Sequence, residues 1–472
     1  MALRLHIAAA AVFALSAATG LSANPKYTIL FIGDGMSVPQ RMIAEEYSRK
    51  TGRGPLAMNS LPVQGSLRTC PSNALITDSA AAATALACGV KSYNQAIGVD
   101  AKGRPVESCA EIARKAGRKV GMVTTVTITH ATPAGFYAHC RNRGQVYHIA
   151  TDLARSGFDF FAGGGLYKPV DKKSSRWKEC GEAYAYAGKL GYRNVKTRDE
   201  FLALKPGDGK ILATFSKGYM AAAIDAKAAG QPTLAEMTAK AIEMLDGPDG
   251  FFLMVEGGLI DHAGHANDAA ANLRETIAMD DAFNVALGFL EKHPDETLVV
   301  ATGDHETGGL SMGFSGSGYS LHPERLALQK ASVDKFSEEV REMMRKNPGM
   351  KFDDIKPFTS ERFGFKFAGD RSKDPMVLSE HATGELKSAF DADMKRVRAK
   401  VSETKAYDAR RRYMYARACV GVMARRAGIA WGSGNHTALP VMVTAKGVDA
   451  EKFGGFMEND EFGRRLKALC AK

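Results

Sequence analysis

The sequence predicts an α/β protein with a mostly parallel central sheet flanked by helices. From Asn24 to about Gly309, short β-branched apolar runs alternate with stretches of helical periodicity, the pattern that a helix-covered sheet produces. Most of these runs are apolar on both faces, which suits strands buried between two helical layers. Bulk agrees: 472 residues, 45% hydrophobic and 24% charged, suffice for a large core and exclude a disulfide knot, a disordered chain and a fibrous repeat.

The strand candidates, in order, are residues 27–32, 120–126, 158–162, 251–255 and 297–301, with a last one at 441–444. Helical periodicity covers 79–88 closed by Gly89, 108–116 closed by Gly117, 233–245 closed by Gly247, and 267–290. Glycine just past the last turn is a stop signal because it takes up left-handed backbone without steric cost. Between Phe314 and Arg426 the texture changes to charged helical stretches such as 333–346 and 387–405, before a strand resumes at Leu439. Strand 441–444 needs a sheet to join, so residues about 314–426 read as a helical insertion in one domain spanning 24–472.

Residues 1–23 read as a signal peptide: Arg4 opens it, an apolar run from Ala8 to Leu15 follows, and Leu21-Ser22-Ala23 offers a cleavage site before Asn24. Export to the periplasm or the extracellular space is expected. The run 8–15 falls short of the ~20 residues of a spanning helix, and no later stretch reaches that length, so no stable membrane span is expected. Arg4 is the only charge in the leader, so its removal lowers the net charge from +11 by one to +10. A basic chain attracts anionic substrates, but its Lys and Arg are scattered without interleaved aromatics, and no specific nucleic-acid partner is expected. All seven cysteines lie beyond the leader and none forms a CxxC pair, which removes a cysteine zinc site and leaves their pairing open. The oligomeric state also stays open, a homodimer included.

Chemistry concentrates where strands end. Asp34 follows strand 27–32, Glu256 follows 251–255, and Asp304 and His305 follow 297–301. Each group lies at the carboxyl end of a strand, where open α/β sheets place their ligands. Asp261 and His265 are four residues apart, so a helical turn puts both on one face as a metal-ligand pair, although Gly264 weakens that helix. With Asp304, His305 and the glycine-flanked His436, the donors are mixed oxygen and nitrogen, suited to zinc and enough for two ions.

Ser79 opens an alanine-rich helix, where free backbone N–H groups and the dipole favour an anion. Beside metal ions, a serine there can be deprotonated and attack phosphorus without a histidine base. Arg141 and Arg143 follow strand 120–126, and a guanidinium fork holds two phosphoryl oxygens at once. His139 and His381 read as structural histidines.

Seven short motifs stand in one order: Gly33-Asp34-Gly35-Met36, Thr77-Asp78-Ser79-Ala80, His130-Ala131-Thr132-Pro133-Ala134, Val255-Glu256-Gly257-Gly258, Ile260-Asp261-His262, Gly303-Asp304-His305-Glu306-Thr307-Gly308-Gly309 and Gly434-Asn435-His436-Thr437. Together they resemble the alkaline phosphatase family, over about residues 26–309 and 428–465, and the resemblance implies an alkaline-phosphatase-like fold. It implies a phosphomonoesterase with two zinc ions and one magnesium ion, acting on small phosphate esters by in-line displacement through a phosphoserine. Ser79 would be the nucleophile and Arg143 the phosphate-binding arginine. Asp261, His265 and His436 would hold one zinc, Asp34, Asp304 and His305 the other with Ser79 during turnover, and Asp34, Thr132 and Glu256 the magnesium. His130 and His262 would stand behind these ligands; histidine at both positions resembles the animal-type enzymes, where the bacterial-type pattern has Asp and Lys.

Residues 310–427 match no motif, which leaves substrate preference unassigned. A phosphodiesterase of the same superfamily is the alternative, but Glu256 and Arg143 favour a dianionic phosphoryl group. A sulfatase would need a Cys/Ser-x-Pro-x-Arg motif, which the alanines after Ser79 do not provide. A non-catalytic zinc-dependent binding protein has no use for Ser79 and a complete ligand set.

Overall fold

The computed structural model describes residues 24–399 and 413–471. The expected leader lies outside the described residues, as does the end of the 387–405 stretch. The main strands are β1 (Tyr27–Gly33), β2 (Val63–Arg68), β3 (Lys119–Thr127), β4 (Phe160–Gly164), β5 (Tyr192–Val195), β6 (Lys210–Thr214), β7 (Phe251–Gly257) and β8 (Thr297–Gly303). With strands Val441–Gly447 and Gly455–Glu458 they form a ten-stranded sheet. From one edge the order is Gly455–Glu458, β2, Val441–Gly447, β8, β1, β7, β3, β4, β6, β5. Strand Val441–Gly447 is antiparallel to both its neighbours, and every other pairing in the sheet is parallel. The mostly parallel α/β sheet expected from the apolar runs is therefore present, and the late strand does return to it.

Alternation along β1 shows why the runs are apolar throughout. Ile29 and Phe31 join one apolar cluster with Ile43, Leu273, Phe283 and residues of the 314–426 stretch such as Phe336 and Tyr415. Leu30 and Ile32 face the opposite cluster, with Leu86, Ile149, Phe462 and Leu466. Both faces are covered, so a polar face on these strands would strand unpaired groups in the core. The described elements between Gly313 and Ala427 are all helical: a short 3-10 turn and the helices Val333–Lys346, Phe352–Phe363, Glu380–Arg398 and Met414–Arg426.

The expected helix 267–290 is present as Ala269–Lys292, and a separate helix, Leu259–Ala266, precedes it. Leu259–Ala266 ends at Asn267, whose backbone is left-handed (φ 54°), and Asp268 caps Ala269–Lys292 by accepting from the Ala271 N–H at 3.1 Å. Asn tolerates that backbone and Asp is a strong N-cap, so the pair stops one helix and starts the next.

Helix Ser79–Cys88 is buried along its whole length. Its alanines permit close approach, and helix Asn459–Cys470 comes nearest at Gly463, where an added Cβ would lie 2.1 Å from the Ala85 carbonyl oxygen. Asn24 ties the chain start to this last helix by donating to the Ala468 and Ala471 carbonyls at 3.3 and 2.8 Å. Gly463→Ala is therefore expected to push the last helix off the Ser79 helix, with a loss of about 1–3 kcal/mol in urea denaturation and a fall in turnover; unchanged stability would mean that the two helices tolerate separation.

Candidate active site and metal centre

The register of the sheet brings the acidic residues to one level. Gly33 pairs with both Gly257 and Gly303, and Ile32 pairs with both Glu256 and Thr302. Asp34 and Asp304 leave their strands side by side, and Glu256 stands one residue inside β7. Gly35 turns the chain back with φ +70°, and a Cβ there would meet Thr307 Oγ1 at 2.7 Å and Asp261 Cα at 2.9 Å. Only glycine suits that turn and that contact.

Helix Leu259–Ala266 does form through Gly264, so Asp261 and His265 share a face. An added Cβ at Gly264 would lie 3.0 Å from the Thr307 carbonyl oxygen, so the glycine serves close packing of the strand Glu306–Thr307. Asp261 Oδ1 lies 3.4 Å from His265 Nε2 and 3.5 Å from His436 Nε2, and the two nitrogens are 3.2 Å apart. His265 Nδ1 donates to the Gly434 carbonyl at 2.7 Å and His436 Nδ1 to that of Thr77 at 2.8 Å. With the proton committed to Nδ1, each ring turns the Nε2 lone pair toward the other ligands, as a metal-binding imidazole requires.

The second group is Asp34, Asp304 and His305, all buried. His305 Nε2 is 3.2 Å from Asp34 Oδ1, 3.5 Å from Asp304 Oδ2 and 3.2 Å from Ser79 Oγ. Asp304 Oδ1 accepts from the N–H groups of Gly35 and His305, which aims Oδ2 at the centre. Thr307 connects the two groups: its hydroxyl donates to Asp261 Oδ1 at 2.5 Å, so it accepts from His305 Nδ1 at 3.2 Å. Nothing in its residue type announces this role, and the sequence motif supplies only its neighbourhood.

Asp34, His130 and Glu256 form a third group. His130 Nδ1 lies 3.6 Å from Asp34 Oδ2 and 3.7 Å from Glu256 Oε1. Thr132 Oγ1 lies 3.4 Å from Asp34 Oδ2, and Thr124, a residue without a sequence signal, donates to Glu256 Oε2. Arg143 reaches the same place: Nη1 donates to Asp78 Oδ2 at 3.3 Å and Nη2 to His130 Nε2 at 3.1 Å. Arginine is only a donor, so His130 Nε2 accepts and the neutral ring carries its proton on Nδ1, facing the two carboxylates. That tautomer makes His130 a donor toward the third group rather than a ligand. Asp78 also caps the Ser79 helix, accepting from the Ala81 N–H at 3.0 Å.

The remaining residues separate cleanly. Arg141 Nε donates to the Gly103 carbonyl at 3.3 Å, so Arg143 is the arginine at the site. His139 bridges the Gly98 carbonyl and Glu111 at 2.7 and 3.0 Å, a structural role. His381 is exposed on the first turn of helix Glu380–Arg398. His262 lies under Tyr219, whose ring centroid is 4.3 Å away.

Four buried carboxylates within one pit cannot all stay charged unaided. In the metal-free protein, burial first and neighbouring carboxylates second push Asp34 up to about 7 and Asp304 well above the usual range; burial pushes Glu256 up to about 7. Burial opposes the Asp261 charge too, but the surrounding imidazoles of His265, His305 and His436 outweigh it and hold this carboxyl well below the usual range. Burial lowers His130, His262, His305 and His436 each to about 4, so these rings are neutral near pH 7. Asp34 Oδ1, His130 Nδ1, Glu256 Oε1 and Asp304 Oδ2 are buried without a hydrogen-bond partner. Orphaned carboxyl oxygens beside the Nε2 lone pairs of His305 and His436 are what divalent cations satisfy.

A doubly covered α/β sheet, with three ligand groups gathered at its strand ends around a helix-borne serine, defines a metal-dependent hydrolase. The family model for alkaline phosphatase matches residues 25–471. Alkaline phosphatase 4 of Bacillus subtilis is 32% identical over 453 residues, covering 93% of this chain and 87% of that protein. The alkaline phosphatase of Thermus thermophilus is 28% identical with a TM-score of 0.77, covering 98% of this chain and 96% of that one. A histidine-to-aspartate variant of TAB5 alkaline phosphatase, with Mg bound in its M3 site, is 26% identical with a TM-score of 0.64, covering 95% and 98%. The chain belongs to the alkaline phosphatase family and is a metal-dependent phosphoric monoester hydrolase.

Above about pH 7.5 the buried rings of His130, His262, His305 and His436 are neutral in both the folded and the unfolded chain. Asp34, Glu256 and Asp304 then still hold protons in the folded, metal-free protein that the unfolded chain has released. The folded state binds more protons there, so its stability falls as pH rises. Chelator-stripped protein is expected to lose thermal stability as pH rises from about 7.5 to about 8.5, and metal-loaded protein to lose much less; a flat profile for the stripped protein would contradict this.

Proposed function

We propose that the protein hydrolyses phosphate monoesters through a phosphoserine on Ser79, with zinc at Asp261, His265 and His436, a second zinc at Asp34, Asp304 and His305, and magnesium at Asp34, Thr132 and Glu256. The observation that supports this reading is the clustering of three ligand groups, two of them sharing Asp34, with His305 3.2 Å from Ser79 Oγ and several buried polar atoms unpartnered. When bound, such ions act as Lewis acids that favour the serine alkoxide and neutralise charge on the leaving and phosphoryl oxygens. Ser79 presents Oγ from the first turn of its helix, where free N–H groups and the dipole favour the anionic phosphoryl group. The oxygen forms a bond to phosphorus as the alcohol departs on the opposite side, and water then cleaves the Ser79 ester by the reverse geometry. Asp78 fixes one arm of Arg143, so the guanidinium can address two phosphoryl oxygens with little loss of entropy. His130 turns its Nδ1 toward the Asp34 and Glu256 carboxylates at 3.6 and 3.7 Å while its Nε2 accepts from Arg143, which places Arg143 beside that group.

Export is part of the same proposal. Its support is the leader-like composition of residues 1–23 and the absence, among the described residues, of a helix long and apolar enough to cross a membrane. The segment 314–426, packed on one face of the sheet, is proposed as an insertion that leaves the strand ends to the family motifs.

The reading is tested with p-nitrophenyl phosphate and its bis-ester before and after EDTA, together with acid-quenched mass mapping. Hydrolysis of the monoester alone, lost with EDTA, with phosphate trapped on Ser79, is the expected result; phosphate trapped on another residue would overturn the nucleophile. Arg143→Ala should cost about 2–5 kcal/mol of transition-state stabilisation on the monoester and far less on the diester, where one oxygen is masked. Equal losses on both would make Arg143 structural.

His130 adds no negative charge to the third group, so magnesium should bind there less tightly than at an all-carboxylate site. The Mg-bound histidine-to-aspartate variant of TAB5 alkaline phosphatase supports comparing the same exchange here. His130→Asp is expected to tighten magnesium and to remove slow activation by added magnesium while leaving zinc content unchanged. Identical magnesium titrations of the two proteins would make His130 a bystander.

A further inference from the structure

His262 is the least supported side chain in the pit. Among the described residues its ring makes no hydrogen bond, and Nε2 is buried without a partner. Packing alone therefore sets its orientation. On one side stands His130, with ring centroids 6.1 Å apart, and on the other Tyr219, at 4.3 Å and an interplanar angle of 44°. Tyr219 also meets His130 edge-on at 6.4 Å and 89°. One tyrosine ring thus touches both histidines that stand behind the metal ligands.

The loop carrying Tyr219 is fastened to the sheet on both sides of that residue. Gly165 N–H donates to the Gly218 carbonyl, and Met220 N–H donates to the Thr125 carbonyl of β3. Farther along, Ala221 N–H donates to Gln231, whose amide returns to the Phe215 carbonyl, and Ala223 N–H donates to Glu275. Gly164 and Gly165 make this approach feasible: a Cβ at Gly164 would lie 2.3 Å from the Gly218 carbonyl oxygen, and one at Gly165 would lie 2.5 Å from that of Ser216. The tyrosine is 43% exposed, yet backbone hydrogen bonds hold it in place. An exposed aromatic gains little from hydrophobic burial, so its placement is better explained by what it covers.

We infer that Tyr219 is a positioning residue of the active site: its ring sets the orientations of His262 and His130 and closes the Asp34, His130 and Glu256 group against water. The inference rests on the proposed occupancy of that group by magnesium. It assigns the ring, not the hydroxyl, because the contacts to both histidines are ring contacts. A residue behind a metal ligand typically changes metal affinity by about 10–100-fold when removed, and a supporting ring belongs to that class.

The test uses full-length, zinc-loaded Tyr219→Ala and Tyr219→Phe. Magnesium is titrated into each with binding read directly, zinc content is measured as a control on folding, and inhibition by inorganic phosphate reports on the pocket under His262. Tyr219→Ala should weaken magnesium at least about tenfold and weaken phosphate inhibition, with zinc unchanged, whereas Tyr219→Phe should match the wild type in both. Magnesium binding by Tyr219→Ala as tight as wild type, or Tyr219→Phe behaving like Tyr219→Ala, would overturn the inference. If the wild type itself binds no third ion, the proposed magnesium site fails instead. The phosphate constants then decide for Tyr219: weakened in Tyr219→Ala and kept in Tyr219→Phe supports the positioning role, and unchanged in both overturns it.

Discussion

Everything at this site depends on four buried carboxylates, Asp34, Glu256, Asp261 and Asp304, gathered at the ends of adjacent parallel strands and the helix that follows. The sheet leaves them no alternative position, because Gly33, Gly257 and Gly303 stand in register across three strands. Burial and repulsion raise three of the four, Asp34, Glu256 and Asp304, and so oppose their ionisation in a metal-free chain. Divalent cations resolve that conflict, so metal binding and the integrity of the pit are the same energetic problem.

The uncharged partners are arranged to match. His265, His305 and His436 each have Nδ1 occupied by a carbonyl or by the Thr307 hydroxyl, which fixes the tautomer before any ion arrives. Thr307 ties an aspartate of one group to a histidine of the other, so the two groups cannot shift independently. Arg143 is tied to the third group through His130 and to the Ser79 helix through Asp78. Arg143, His130 and the helix that carries Ser79 are therefore joined by hydrogen bonds, so that a change at one member is felt by the others.

The sequence made the centre of the sheet legible and its flanks obscure. β1, β3, β4, β7, β8 and Val441–Gly447 show as apolar runs because helices cover both their faces. β2, β5, β6 and Gly455–Glu458 lie toward the two edges. They are short or mixed in polarity, and pairing rather than composition makes them strands. Most candidate ligands were legible because Asp and His past a strand end are unusual in company, and because the motif order resembles one family. Thr307, Thr124 and Tyr219 were not, since a hydroxyl or an aromatic ring carries no local mark of what it will touch. The helix after the Asn267-Asp268 break was legible to within two residues at each end, whereas the short helix before it, Leu259–Ala266, was obscured by Gly264.

The claim that this pit is built around cations is tested most directly by anomalous diffraction at the zinc edge on crystals of the holoprotein. The account predicts two strong zinc peaks, one among Asp261, His265 and His436 and one among Asp34, Asp304 and His305, with a lighter ion beside Glu256. Well-ordered ligand side chains at both groups without any anomalous density between them, in protein that turns over phosphate monoesters, would contradict it.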